Sequence, residues 1–181
     1  MATGVPNING NGRLQPINIT YEGKEPVSAI LKGECSNFEE INRGSLGKRL
    51  YFSDNINGLR MLLSDTSIAG KVTLVYIDPP FATQGTFFSR TQEKAYEDHL
   101  SGAKYVEHLR ARLILLRELL SEQGSIYLHL DENMIFEMKL VMDEVFGYSN
   151  YRNLIVRKKC NPKNYTRKAY GNIADYILFY S

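Results

Sequence analysis

The segment Val72–Phe81 constrains this chain more than any other, because a short apolar run ends there abruptly at a carboxylate and two prolines. The run is rich in β-branched and aromatic residues, a composition typical of a strand buried on both faces of a parallel sheet. Proline cannot donate to a sheet ladder, so the strand is predicted to end at Asp78. Ligands of open α/β sheets bind at the carboxyl ends of strands. Asp78 is therefore a candidate site residue.

The two prolines preset the shape of the turn that follows. Proline fixes its own φ and restricts the residue before it to extended conformations, so the Asp78 carboxylate and the Pro79 carbonyl are held on a stiff turn beside Phe81. Two acceptors next to an aromatic ring suit a planar amino group such as that of a nucleobase. A plain turn after a strand is the alternative that the four residues alone leave open.

Asp78-Pro79-Pro80-Phe81 resembles the catalytic D-P-P-[YF] motif of amino-directed DNA methyltransferases. The resemblance implies that Asp78 and the Pro79 carbonyl accept hydrogen bonds from the exocyclic amino group, that Pro80 stiffens the turn, and that Phe81 stacks on the flipped base. It also implies direct transfer of a methyl group from S-adenosylmethionine to adenine N6. Asp at the head of the motif favours adenine, with cytosine N4 as the second possible target. No Pro-Cys dipeptide of the cytosine-C5 type is present.

Composition predicts about one soluble globular domain, since the chain has 181 residues with ordinary apolar and charged fractions. The net charge of +2 is too small to indicate nucleic-acid binding by itself. Cys35 and Cys160 lie too far apart in sequence to suggest a metal site or a disulfide framework. No membrane-spanning run and no signal peptide are apparent, so a cytoplasmic setting is expected.

The chain is predicted to consist of an amino-terminal arm, residues 1–45, and a partial catalytic domain, residues 46–181. A Gly- and Asn-rich leader precedes alternating apolar residues, and Gly23 marks a turn, so a small hairpin or irregular arm is expected. Residues 50–52 predict a short strand, followed by a helix that Asp54 or Asn55 could cap. The resemblance implies instead that this acidic turn, Asp54 and Asn55, helps bind S-adenosylmethionine. Both interpretations are open from the residues alone.

Two helix–strand units follow the polar and aromatic segment 82–101, for which a DNA-facing or cofactor-covering flap is favoured over a solvated connection. Apolar residues at helical spacing predict a helix from Tyr105, stopped by Gly124, and residues 125–130 predict a second buried strand. His129 within that strand is interpreted as a satisfied core histidine rather than a ligand or base. Asp131 at the strand end is either a helix cap or a residue of the pocket.

Two further strands, near residues 154–156 and 175–180, are predicted to form a hairpin at one edge of the sheet. Basic residues interleaved with tyrosines lie between them and suit a phosphate backbone and an unstacked base. A solvated hairpin loop is the alternative, and the Asp-Pro-Pro-Phe context favours DNA contact. Together with Phe81, the predicted DNA-binding residues are Lys158, Lys159, Lys163, Tyr165 and Arg167.

The recurrence of strand, turn and helix predicts an α/β three-layer sandwich with a mostly parallel sheet. From Gln15 to Ser181 the order of motifs is similar to the amino-terminal part of a β-type site-specific DNA methyltransferase, a group that includes the modification subunits of type III restriction systems. The resemblance implies a Rossmann-like S-adenosylmethionine-dependent fold, with double-stranded DNA and a restriction subunit as partners.

The family's Phe-x-Gly-x-Gly cofactor segment has no match in this sequence. A truncated or split enzyme is therefore expected, with the cofactor motif on a missing carboxyl-terminal half or on a second chain, and with little activity in isolation. From a different class, a non-catalytic DNA-binding or assembly module is the alternative.

Overall fold

The structure, a computed structural model, describes residues 17–34, 39, 47–80, 102–160 and 171–181, and the backbone of residues 86–88 and 94–97. Helices and strands alternate along the chain. The helices are α1 (Val27–Leu31), α2 (Asn55–Ser64), α3 (Ala103–Leu119) and α4 (Ile135–Phe146). The strands are β1 (Val72–Ile77), β2 (Thr86–Phe88), β3 (Lys94–Glu97), β4 (Leu120–Leu130), β5 (Tyr151–Lys158) and β6 (Ala174–Tyr180).

Four strands form one mixed sheet in the order β1-β4-β6-β5, and β2 and β3 form a separate antiparallel pair. Within the main sheet β1 and β4 are parallel, whereas β6 is antiparallel to both β4 and β5. The predicted hairpin of the last two strands at one edge is confirmed. The α/β class is confirmed as well, but the predicted mostly parallel sheet is not, because a strand that returns directly through a hairpin pairs antiparallel with its predecessor.

One face of this sheet packs against helices α3 and α4. Side chains alternate between the two faces of a strand, so every second residue of β4 and β6 points toward the helices. The buried core contains Val75, Ile126, Leu128, Leu130, Leu178 and Tyr180 from the strands, with Leu113 and Ile114 of α3 and Met138, Val141 and Met142 of α4. The predicted helical stripes are therefore core packing.

The opposite face of β1 is open in the part of the chain that the structure describes. Leu74 is 60% and Tyr76 57% exposed, while Val75 between them is buried. The prediction that this strand is buried on both faces is therefore wrong for the described residues, since only one face of β1 meets the helices. Helices on the second face, which a three-layer sandwich requires, are not seen among the described residues.

Two other local predictions are corrected. Residues 50–52 form no strand, and Leu50 and Phe52 are almost fully exposed. Gly124 does not stop a helix, because α3 ends at Leu119 and Gly124 lies within β4. A side chain at Gly124 would place its Cβ 2.9 Å from the Val72 carbonyl oxygen, so the close approach of the neighbouring strand requires glycine there.

The described segment of the amino-terminal arm forms a turn at Glu22–Gly23 and the short helix α1, not a hairpin. Lys24 holds it to α4 through an ion pair with Glu144 at 2.6 Å, and Arg110 of α3 donates to the Glu25 carbonyl at 3.0 Å. Within the described residues, no helix has the length and apolar character needed to cross a membrane.

Candidate active site

Asp78 lies at its predicted position, directly after β1 and at the end of the sheet where β1 and β4 both finish. Its side chain is 58% exposed, whereas Pro79 is buried and Pro80 is exposed. The parallel register pairs Tyr76 with Tyr127 and the next residue of β1 with the next residue of β4. One step further, that register brings Asp78 alongside His129. Phe81 lies outside the described residues.

The turn after β1 is anchored to helix α3. The hydroxyl of Tyr105, which is only 2% exposed, donates a hydrogen bond of 3.0 Å to the Pro80 carbonyl. Because Tyr105 is packed in the core, its hydroxyl is a fixed point for the turn. The Asp-Pro-Pro segment is thus held by proline geometry within the chain and by a buried hydrogen bond from outside it.

His129 contacts the Asp78 carboxylate. The Nδ1 atom of its ring lies 3.2 Å from Asp78 Oδ1 and 3.3 Å from the Tyr76 hydroxyl oxygen. A protonated Nδ1 donates to Asp78, whereas an unprotonated one accepts from Tyr76. His129 is buried, as predicted for a core histidine, but its ring faces the candidate site rather than the apolar core. The ring faces the site because β1 lies beside β4 in the register that brings Asp78 next to His129, and sequence spacing does not show that strand pairing.

A buried carboxylate, Asp175 at the start of β6, lies on the other side of the ring. Its Oδ2 atom is 3.7 Å from His129 Nε2 and 3.1 Å from Arg157 Nη1, to which it is hydrogen-bonded. Lys159 Nζ lies 3.0 Å from Asp175 Oδ1 as an ion pair. Asp175 is 4% exposed, and these two cations offset the cost of burying its charge. Because β6 runs antiparallel to β4, its first residues reach the edge at which β4 ends.

Two predicted DNA-binding residues, Lys158 and Lys159, lie within the described residues. Lys158 is exposed at the end of β5, as a DNA contact requires. Lys159 is directed at Asp175 instead. Burial lowers the pKa of its ammonium group, but Asp175, Glu132 and Asp131 together raise it by more, so the pKa lies above its usual value. The other predicted residues, Lys163, Tyr165 and Arg167, lie outside the described residues.

Asp131 is 5% exposed and follows β4 directly. Its carboxylate accepts hydrogen bonds from the backbone N–H of Asn133 at 3.0 Å and from the side-chain amide of Asn133 at 2.6 Å. The first residue before α4 is Met134, and no side chain caps that helix. Asp131 therefore stabilises the turn that precedes α4. Asp131 lies at the same end of the sheet as Asp78, but these two hydrogen bonds go to Asn133 and do not link it to Asp78.

The acidic turn before α2 caps that helix. Asp54 accepts hydrogen bonds from the backbone N–H groups of Ile56, at 3.0 Å, and Asn57, at 3.4 Å, so the predicted cap is confirmed. Arg112 of α3 lies 3.6 Å from Asp54 Oδ2 and also donates to the Asn55 side-chain oxygen. Burial lowers the pKa of Arg112, and the Asp54 charge acts in the opposite direction. The Asp54 side chain remains 58% exposed, so its carboxylate is accessible to a ligand.

Helix α3 supports both turns. Tyr105, which holds the Pro80 carbonyl, and Arg112, which holds the acidic turn, are seven residues apart and lie on the same side of the helix. Their separation along the helix axis is about 10 Å. Local sequence pattern marks none of Tyr105, Arg112 and Asp175 as a site residue, and it marks Arg157 only as one of the basic residues near the last two strands. The pairing of Arg157 with Asp175 follows from the β5–β6 register, which only the structure provides.

Comparison with known proteins agrees with this geometry. Residues 72–181 match the family model described as DNA methylase (N6_N4_Mtase). The chain is 40% identical over 172 residues to the type II methyltransferase M.EcaI of Enterobacter cloacae, an alignment that covers 91% of this chain and 37% of that protein. It is 26% identical over 180 residues to the EcoP15I Mod subunit, a type III restriction-modification enzyme of Escherichia coli, covering 86% of this chain and 27% of the relative.

The chain thus spans little more than a third of the length of the first of these relatives and about a quarter of the second. The matched region begins at β1 and includes the Asp-Pro-Pro turn, the His129 strand and the terminal hairpin. That region is more than half of the sequence, so the chain belongs to the DNA methylase family.

Proposed function

We propose that this chain carries the catalytic turn of a site-specific DNA methyltransferase that transfers a methyl group from S-adenosylmethionine to adenine N6, as part of a restriction-modification system. The observation that carries the proposal is the exposed Asp78 carboxylate on a rigid Asp-Pro-Pro turn at the carboxyl end of β1. A family match alone would not identify the reacting group, and the exposed acceptor on a turn held from two sides supports Asp78 in that role.

In the proposed reaction, Asp78 and the Pro79 carbonyl accept hydrogen bonds from the two N–H bonds of the adenine amino group. This draws the nitrogen lone pair out of conjugation with the ring and directs it toward the methyl donor. Pro80 stiffens the turn, and Phe81 stacks on the flipped base. S-adenosylmethionine, when bound, supplies an activated methyl group. No covalent intermediate on the protein is needed.

The exposed carboxylates fit a cofactor that carries a ribose and a positive charge. Asp54 caps α2 through Oδ1. Its Oδ2 atom, 3.6 Å from Arg112, belongs to an exposed side chain and could also accept from a ribose hydroxyl, and Asn55 adjoins it. Asp78 would lie nearer the charged end of the cofactor. The two turns are tied to one face of α3, about 10 Å apart along its axis, so a two-ended ligand could reach both.

Cofactor binding is further proposed to need a glycine-rich segment, whether it is continuous with this sequence or on a second chain. The exposed Leu74 and Tyr76 on edge strand β1 support this, since a neighbouring strand and helix layer would cover them and complete a three-layer fold. Residues 46–181 would then be the partial catalytic domain and residues 1–45 an arm. Double-stranded DNA would contact the basic segment that begins at Lys158, and a restriction subunit would be a further partner in a type III system.

Transfer of a labelled methyl group to duplex DNA tests the proposal, with and without the polypeptide that supplies the glycine-rich segment. The isolated chain is expected to transfer little, and the completed enzyme is expected to lose activity with Asp78→Ala but not with Glu118→Gln, a surface control on α3. Digestion of the product to nucleosides distinguishes adenine N6 from cytosine N4. Near-normal activity of Asp78→Ala would refute the catalytic assignment and favour a binding or assembly module.

Calorimetric titration with S-adenosylmethionine, and with sinefungin as a non-reactive analogue, measures cofactor binding separately. The isolated chain is expected to bind weakly, and addition of the glycine-rich polypeptide should restore saturable binding. Strong binding by the isolated chain would contradict the need for that segment.

A further inference from the structure

Among the residues that the structure describes, His129 forms an ion pair with Asp78, and it does so from a protected position. The His129 side chain is 8% exposed, whereas the Asp78 side chain is 58% exposed. An exposed aspartate on its own exchanges between rotamers, which weakens any hydrogen bond that depends on its direction. A contact of 3.2 Å to a packed ring restricts that exchange.

Asp175 lies on the other side of the same ring. Its carboxylate lies 3.7 Å from His129 Nε2 and is itself held by Arg157 at 3.1 Å and Lys159 at 3.0 Å. The contacts thus lead from Asp78 after β1 to His129 on β4 and Asp175 on β6. They end at two cations, Arg157 on the edge strand β5 and Lys159 directly after it. The ring thus lies between two carboxylates, with the shorter contact on the Asp78 side.

We propose that His129 is a positioning residue for the methyl-transfer reaction: it donates from Nδ1 to Asp78 and so sets the direction in which that carboxylate accepts the substrate amino group. Asp175 lies against the far side of the ring, and Arg157 and Lys159 hold Asp175 in its buried position through ion pairs. Preorganised acceptors need no rearrangement as the transition state forms. The inference rests on the proposed role of Asp78 and adds a residue that does not itself touch the substrate.

The first test uses the chain alone and needs no activity. Long-range ¹H–¹⁵N spectra of histidine-labelled protein show which ring nitrogen of His129 carries a proton. The wild type is expected to be protonated at Nδ1. In Asp78→Ala that nitrogen should lose its proton and accept from the Tyr76 hydroxyl instead, while the signals of His108 on α3 stay unchanged. An Nδ1 state that is the same with and without the Asp78 carboxylate would overturn the proposal.

The second test compares two amide substitutions in the enzyme completed with its glycine-rich segment. The side-chain nitrogen of His129→Asn takes the place of Nδ1 and can still donate to Asp78, whereas that of His129→Gln takes the place of Nε2 and faces Asp175. His129→Asn is expected to keep kcat within about threefold of the wild type. His129→Gln and His129→Leu should lose about 10- to 100-fold in kcat, the usual effect of losing a hydrogen bond to a charged group.

The Km for S-adenosylmethionine is expected to change little in all three variants, and His129→Asn and His129→Gln should unfold at similar temperatures, since both lose the ring. Equal losses of kcat in these two variants would mean that the ring acts only through packing and would refute the proposal. An inactive wild-type assembly would refute the proposed function instead, and in that case the nitrogen spectra still decide whether His129 holds Asp78.

Discussion

Removing one hydroxyl group from Tyr105 tests how the catalytic turn is held. The Tyr105 hydroxyl donates to the Pro80 carbonyl at 3.0 Å from a side chain that is buried in the core. Tyr105→Phe keeps the ring and its packing, and it removes the hydroxyl that donates to Pro80. Pro80 itself is exposed, so water can reach the carbonyl that loses its donor. The cost in unfolding free energy is then about 1 kcal/mol, near the middle of the range for a single net hydrogen bond.

Urea denaturation of the chain measures this cost. A loss of about 1 kcal/mol corresponds to a fall of about 2–4 °C in Tm for a chain of this size, and to a midpoint shift of about 0.3–1 M urea. In the completed enzyme, methyl transfer should fall by about 10-fold or more, because a displaced turn misdirects Asp78.

Tyr127→Phe is the matched control. Tyr127 stacks on Phe179 with their ring centroids 4.5 Å apart, and its hydroxyl makes no hydrogen bond within the described residues. This variant should retain the stability and the activity of the wild type. If the two Tyr→Phe variants behave alike in both measurements, the hydrogen bond to Pro80 does not hold the turn, and the reasoning fails.

Three further predictions concern the stability of the chain, each measured by urea denaturation. Arg110→Met should cost about 3–5 kcal/mol, because it removes a buried guanidinium that pairs with both Glu107 and Glu144. Arg117→Met, which breaks an exposed pair on the same helix, should cost about 0–1 kcal/mol, and equal effects would contradict the burial argument. Asp54→Ala should cost about 1 kcal/mol through loss of the α2 cap, and no loss would mean that the cap is not formed in solution. Hydrogen bonds from Ser67 hold the pKa of Asp65 below its ordinary value. The stability that Asp65 provides is therefore present above about pH 4 and is lost as the pH falls through the lowered pKa. Asp65→Ala should destabilise the chain at neutral pH and less at about pH 3, and a difference that does not change with pH would refute this.

Local patterns were reliable where the residues concerned interact with near neighbours in sequence. Helix α2 begins at the predicted acidic cap, and β1 has the predicted bounds, because capping and strand composition act over a few residues. Residues 50–52 have the composition of a strand, but no described strand lies beside them to pair with, and Leu50 and Phe52 remain exposed. Gly124 suggests a helix end in sequence, whereas the approach of β1 is what requires it.

The Asp-Pro-Pro turn, the strand before it and the α/β class are predictable from short stretches of sequence, since proline geometry and hydrophobic pattern are properties of contiguous residues. The surroundings of Asp78 are not predictable in this way. His129, Asp175 and Arg157 come together because β4, β6 and β5 are neighbours in a particular register, and strand order depends on long-range pairing that no local spacing records. Long-range pairing also explains why His129, which its position in a buried strand predicts to be a core residue, lies between two carboxylates in the fold.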